Sequence, residues 1–163
     1  MSFKLRILEK NDLNKIYKLM NDEFNMSYWF REPYLSFVEL EQYYEKQILD
    51  NSQRHFAIEY EGKFAGLIEL VDIDNIHRHA EIQIIVDKEF RGLKLAQKAF
   101  KKNVFNMALK LLICKKIYLY VDVENKPALK VYKKMGFEVE GTLKKHYFVN
   151  GKYHDVYFMS LFK

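Results

Sequence analysis

Ile82-Gln83-Ile84-Ile85-Val86, the loop Arg91-Gly92-Leu93-Lys94-Leu95-Ala96 and the helical pattern after it decide how this chain is read. An apolar strand, a short basic loop with glycine and then a helix is how a fold aims free backbone N–H groups at a phosphate. A second strand-to-helix unit, Ile117–Met135, carries Asn125 and Tyr132 on one side of its helix. Together the two units point to a nucleotide-type cofactor held by backbone and to a tyrosine placed for proton transfer.

Working outward, Phe3–Leu8 alternates like a strand, and Leu13, Ile16, Tyr17 and Met20 share one helical face of Asp12–Asn21. Asn25–Tyr34 is aromatic and reads as irregular. Ser36 with Glu39 three residues on forms a capping box that opens a helix reaching about Asp50. His55–Tyr60, a turn at Glu61-Gly62 and Lys63–Ile73 read as an antiparallel pair, followed by His79–Val86. Lys94–Leu111 is a predicted helix with Leu95, Ala99, Lys102 and Phe105 in register. Ile117–Val121 is a short strand. The next helix has Pro127 in its first turn and Gly136 past its end, with Ala128, Val131, Tyr132 and Met135 on one face. Phe137–Val149, a turn at Asn150-Gly151 and Tyr153–Leu161 close the chain as a hairpin. The order predicts a mixed α/β (α+β) fold, with a largely antiparallel sheet splayed at a central cleft and helices on both faces.

The length of 163 residues favours one domain spanning 1–163. With 49% apolar and 30% charged residues the balance is globular. One cysteine, Cys114, excludes an internal disulfide framework and fits a reducing cytosol. No apolar run approaches the ~20 residues of a membrane span, and the first residues lack a signal-peptide core. A cytoplasmic protein is expected. The net charge of +5 suits an anionic cofactor. No nucleic-acid-binding motif accompanies the scattered lysines. His55, His77 and His79 show no metal-ligand spacing with cysteine or paired carboxylates, so no metal is expected.

The element order, the basic glycine loop and the Asn125…Tyr132 pair resemble the GCN5-related N-acetyltransferase fold. The side chains narrow this. Met26-Ser27-Tyr28-Trp29-Phe30, Glu32-Pro33-Tyr34, Gly66-Leu67-Ile68-Glu69-Leu70, Ile76-His77-Arg78, Ala80-Glu81, Gln83-Ile84-Ile85, Val123-Glu124-Asn125 and Phe148-Val149-Asn150-Gly151 resemble the bacterial spermidine N-acetyltransferases. The match runs through roughly residues 4 to 162.

The resemblance implies acetyl-CoA as cosubstrate. It places the pantetheine arm on the backbone of Ile84, Ile85 and Val86. The pyrophosphate falls on Arg91, Gly92, Leu93, Lys94, Leu95, Ala96 and Gln97, with Asn125 as a further contact. It makes Tyr132 the proton donor to the departing thiolate. Deprotonating the acceptor amine calls for a base, with Glu81 the first candidate and Glu69 the second. The resemblance puts the acceptor amine against Met26, Tyr28, Trp29, Glu32, Glu39, Asp50, Glu81, Ile82 and Gln83, and it implies a homo-oligomer.

The chain departs from the family at Lys94, where a second glycine is usual. It departs again at Arg31, where the family has an acidic residue, and at Gln53 and Asp72, where it has glutamate; the resemblance assigns those acids largely to a separate regulatory polyamine site associated with magnesium. Two alternatives remain at this point: an acetyltransferase acting on protein N-termini, and a non-catalytic module sensing acyl-CoA or polyamine.

Overall fold

The computed structural model describes residues 2–104, 108 and 114–162. The strands are β1 (Phe3–Ile7), β2 (Arg54–Tyr60), β3 (Lys63–Asp74), β4 (His79–Val86), β5 (Lys116–Asp122), β6 (Glu138–Val149) and β7 (Lys152–Phe162). The helices are α1 (Leu13–Met20), α2 (Glu23–Trp29), α3 (Phe37–Gln47), α4 (Leu95–Ala99) and α5 (Lys126–Met135). Among the described residues the strands form one seven-stranded sheet, ordered β1-β2-β3-β4-β5-β7-β6. Neighbours are antiparallel except β4 and β5. The final strand inserts between β5 and β6, which leaves β6 at the edge.

Strand alternation sends side chains to two separate cores. Leu67 and Ile85 face the cluster built with Leu13, Ile16, Met26 and Leu40 of α1–α3. Ile68, Leu70 and Ile82 face the cluster built with Leu95, Phe100, Leu129 and Met135 on the other side. Each such side chain, fully buried, contributes roughly 1.5–3 kcal/mol. Both hairpin turns carry two left-handed residues, Glu61-Gly62 (φ 51° and 73°) and Asn150-Gly151 (φ 51° and 77°), the pairing a tight antiparallel turn needs. At Gly66 the backbones of β3 and β4 approach so closely that a Cβ would lie 2.3 Å from the Ile85 carbonyl oxygen.

Three elements differ from the sequence reading. Residues 23–29 are helical, because Asp22 caps them by accepting from the Asn25 N–H at 3.0 Å. This cap outweighs the low helix propensity of the aromatic run. The helix expected over Lys94–Leu111 begins at Leu95, one residue late, and widens into a π-helical turn over Phe100–Val104. That turn buries Phe100 and Val104 alongside Leu95 and Ala99. Phe105 and Leu111 lie outside the described residues. On α5, the face bearing Ala128, Val131 and Tyr132 borders a cleft, and Leu129 supplies the fully packed contact.

Candidate active site

The cleft begins where the sheet stops being a sheet. Parallel pairing of β4 with β5 runs only through His79–Lys116, Ala80–Ile117 and Glu81–Tyr118. Beyond Glu81 the strands separate, so Ile82–Val86 turn one backbone edge into a cleft of about 750 Å³. An extended ligand can pair with such an edge as an added strand would.

At the far end of β4 the loop delivers Arg91, Gly92, Lys94, Leu95, Ala96 and Gln97 to the cleft lining, and Leu93 stands outside it. Gly92 has φ 84° with open space around it. Lys94 is the residue before the first turn of α4 and sits in the left-handed region, φ 58° and ψ 29°. A lysine there costs about 1–2 kcal/mol relative to an ordinary conformation. Lys94 therefore stands outside the helix that the sequence reading began with it. Arg91 reaches away from the loop: its Nη2 donates to Asn25 Oδ1 at 2.7 Å, and the guanidinium lies 4.8 Å above the Phe24 ring. This ties α2 to the glycine loop.

On the opposite wall, Asn125 caps α5 by accepting from the Ala128 N–H at 3.2 Å, and Gly136 ends the helix at φ 99°. Tyr132 lines the cleft between them. Burial pushes its phenol up to about 12, and the Glu81 carboxylate adds to the shift. It therefore keeps its proton at neutral pH. Glu81 lines the same cleft from β4 and accepts from Gln83 Nε2 at 2.9 Å. Burial raises its pKa. The Gln83 hydrogen bond and nearby Arg31 oppose the rise, while Asp72 and Glu69 assist it. Tyr120 and Tyr147 are raised in turn, by burial first and then by Glu81. A single carboxylate is thus ringed by phenols.

The aromatic wall contains Tyr28, Trp29, Phe30, Tyr120 and Tyr147. Phe30 ends α2 in the left-handed region, φ 55°, and stacks on Tyr147 with centroids 4.1 Å apart and planes at 10°. Arg31 follows it, 5.9 Å from the Trp29 ring. The sequence reading missed Phe30, Tyr120 and Tyr147 as lining residues. The only sequence signal was the alternation of Tyr118 and Tyr120 on one face of β5; Tyr147 joins through a hairpin far away in sequence.

The expected acceptor residues do not all converge here. Ile82 and Gln83 line the cleft, whereas Met26, Glu32 and Asp50 border a second cavity of about 600 Å³ together with Gln53, Glu69 and Asp72. Arg31 and Gln83 border both. Met26 is buried in the α1–α3 core. Glu39 lines neither cavity; its carboxylate closes the capping box, accepting from the Ser36 N–H at 2.8 Å. Glu69 is held by His55 Nδ1 at 2.5 Å and faces the second cavity rather than the cleft.

A model of the acetyltransferase (GNAT) family matches residues 13–137. The spermidine N(1)-acetyltransferase of Escherichia coli (strain K12) is 45% identical over 162 residues, covering 99% of this chain and 87% of that protein. The crystal structure of spermidine N-acetyltransferase from Vibrio cholerae in complex with CoA and spermine superposes with a TM-score of 0.93 at 43% identity, covering 98% of this chain and 95% of that one. A dodecameric structure of spermidine N-acetyltransferase from Vibrio cholerae gives a TM-score of 0.86 at 43% identity, covering 98% and 93%.

Proposed function

The chain belongs to the acetyltransferase (GNAT) family, with spermidine N-acetyltransferases among its relatives, and on that premise we propose that it transfers the acetyl group of acetyl-CoA to a primary amine of spermidine or spermine. The observation that carries this reading is the joining, in one cleft, of a free β4 edge, the Glu81 carboxylate and the partly buried phenol of Tyr132.

In this reading the pantetheine arm pairs with Ile84–Val86, and the loop from Arg91 to Gln97 meets the pyrophosphate with backbone N–H groups. Asn125 shapes the start of α5 beside them. An alkylammonium of pKa ~10.4 is about 3 units from neutral at pH 7, a cost of roughly 4 kcal/mol. Glu81, with its elevated pKa, accepts that proton directly or through one water. The amine nitrogen then attacks the thioester carbon, the carbon–sulfur bond breaks, and Tyr132 gives its proton to the departing sulfur. Transfer is direct: Cys114 is buried and absent from the cleft lining, so it is not positioned to carry the acetyl group.

Tyr28 and Trp29 supply faces for cationic nitrogens. Glu32, Asp50, Glu69 and Asp72 in the second cavity supply negative charge for a polycation, with Arg31 subtracting from it. The 163 residues act as one domain and assemble as a homo-oligomer, as the dodecameric relative does. We place it in the cytoplasm; no helix among the described residues is long and apolar enough to cross a membrane.

The test is an acceptor panel with acetyl-CoA, read by release of free thiol. Acetylation of spermidine or spermine is the expected result. Activity on a peptide N-terminus with none on any polyamine at millimolar concentration overturns the acceptor. Acetyl-CoA binding with no thiol release on any acceptor overturns the enzyme.

A further inference from the structure

The end of β3, the turn after it and the start of β4 bring together three side chains that are also close in sequence. Donor atoms of Asp74, His77 and His79 all lie within 4.8 Å of one another. Asp74 Oδ1 accepts from the N–H groups of Ile76 and His77 at 2.8 and 2.7 Å, which folds the turn back on itself. Asp74 Oδ2 stands 2.9 Å from His77 Nδ1. His77 in the turn and His79 at the first residue of β4 hold their rings 6.1 Å apart and 20° from parallel, across the left-handed Arg78. The His79 Nδ1 is buried and has no hydrogen-bond partner among the described residues.

We propose that Asp74, His77 and His79 form a binding site for a divalent cation of the zinc class. Two imidazoles and one carboxylate are the donors such an ion takes, whereas magnesium and calcium prefer all-oxygen shells. Three protein ligands leave a fourth tetrahedral position for water. With metal–ligand bonds of about 2.0–2.2 Å, tetrahedral donors sit roughly 3.3 Å apart. The present spacing closes to that by rotation of the His77 side chain, which is 72% exposed. An ion here would pin the end of β3 to the start of β4, two residues before Glu81. The site stands apart from the cofactor loop at the other end of β4, and the inference does not depend on the acetyl-transfer reading.

The test uses chelator-treated full-length protein titrated with Zn2+, followed by calorimetry and thermal melting, with Mg2+ in parallel. One equivalent per chain binds with low-micromolar affinity, and Tm rises by roughly 5–10 °C at a hundredfold excess over Kd. His77→Ala weakens binding at least tenfold; because that side chain is exposed, the variant keeps its metal-free Tm. His79→Gln behaves alike, and a drop in its metal-free Tm would reflect its lost packing on Tyr118. The proposal fails if no saturable binding occurs below about 1 mM. It fails equally if His77→Ala binds Zn2+ as the wild type does, or if Mg2+ matches Zn2+.

Discussion

Two cavities meet at Arg31 and Gln83, and they divide the charge of the molecule between them. The cleft holds one carboxylate, Glu81, among phenols, with Arg31, Arg91 and Lys94 around it. The second cavity holds Glu32, Asp50, Glu69 and Asp72 against Arg31 and Lys46. The separation has a physical reason. In the proposed reading, a base with a raised pKa needs a site poor in other carboxylates, and a phosphate-bearing cofactor repels carboxylates. Drawing in a polycation needs many ionised acids in contact with water. One site could not do both, since crowding acids into the cleft would drive up every pKa there.

In the cleft, Tyr132 carries the largest expected effect. Tyr132→Phe removes only a hydroxyl, so the fold and acetyl-CoA binding persist while turnover falls about 10²–10⁴-fold. Turnover within twofold of wild type at saturating substrates would remove the phenol from the mechanism.

Glu81→Gln comes next, with a fall of about 10²-fold in turnover. The pH profile carries more information. Wild-type rate rises as Glu81 loses its proton, and burial places that limb above the ordinary carboxylate range. The variant lacks the limb. Stability moves the other way. A folded-state pKa above the unfolded value favours the fold below the unfolded pKa, and this contribution is lost as pH rises through the folded pKa. Glu81→Gln therefore melts higher than wild type at pH 7 and level with it at pH 4. An identical difference at both pH values would deny Glu81 its buried charge.

At the boundary, Arg31→Glu sharpens the comparison by returning an acid to the second cavity. Two like charges about 4 Å apart repel by roughly 4 kcal/mol at an effective dielectric of 20, and by less when solvent intervenes. Wild type should give a nearly hyperbolic velocity curve against spermidine. The variant should turn sigmoidal and saturate at about tenfold lower concentration, the equivalent of about 1.4 kcal/mol. Strong sigmoidality in wild type would show that Arg31 leaves the second cavity competent.

The smallest effect is at Lys94. Lys94→Gly relieves about 1–2 kcal/mol of left-handed strain but adds freedom to the unfolded chain worth about 0.5–1 kcal/mol. The net gain is a Tm rise of about 1–4 °C. Melts with acetyl-CoA decide the rest. A variant that gains Tm alone but loses its ligand-induced shift would mean that the ammonium touches phosphate.

The cofactor side of the cleft was legible because backbone builds it. Strand alternation, a glycine loop, Pro127 and Gly136 are local signals, and among the described residues the structure keeps the elements they define to within a residue or two, save the π-helical widening after Ala99; the end of the helix read to Leu111 lies outside the described residues. The acceptor side was legible only in part. Tyr28 and Trp29 reached the cleft, but they ride on a helix that the aromatic run concealed and that Asp22 alone announced. Tyr147 stacks beneath Phe30 from the last hairpin, a contact set by sheet order rather than by spacing. Glu39 shows a residue with a second duty: the capping box is a sufficient structural reason for its identity, and the structure uses it there. The Asp74–His77–His79 group needed a left-handed residue, Arg78 at φ 60°, to close the turn.

Gly66 gives the cleft a dimension that none of its own lining residues controls. The strand that offers its edge to the cleft is backed by a residue with no side chain, and any methyl group there would force the Ile85 carbonyl and Val86 to move. The gauge of the opening is therefore held from behind, by an atom that is missing. A chain could keep every residue facing the cleft and still lose the fit of a ligand along β4 through one methyl placed on the far side of the strand.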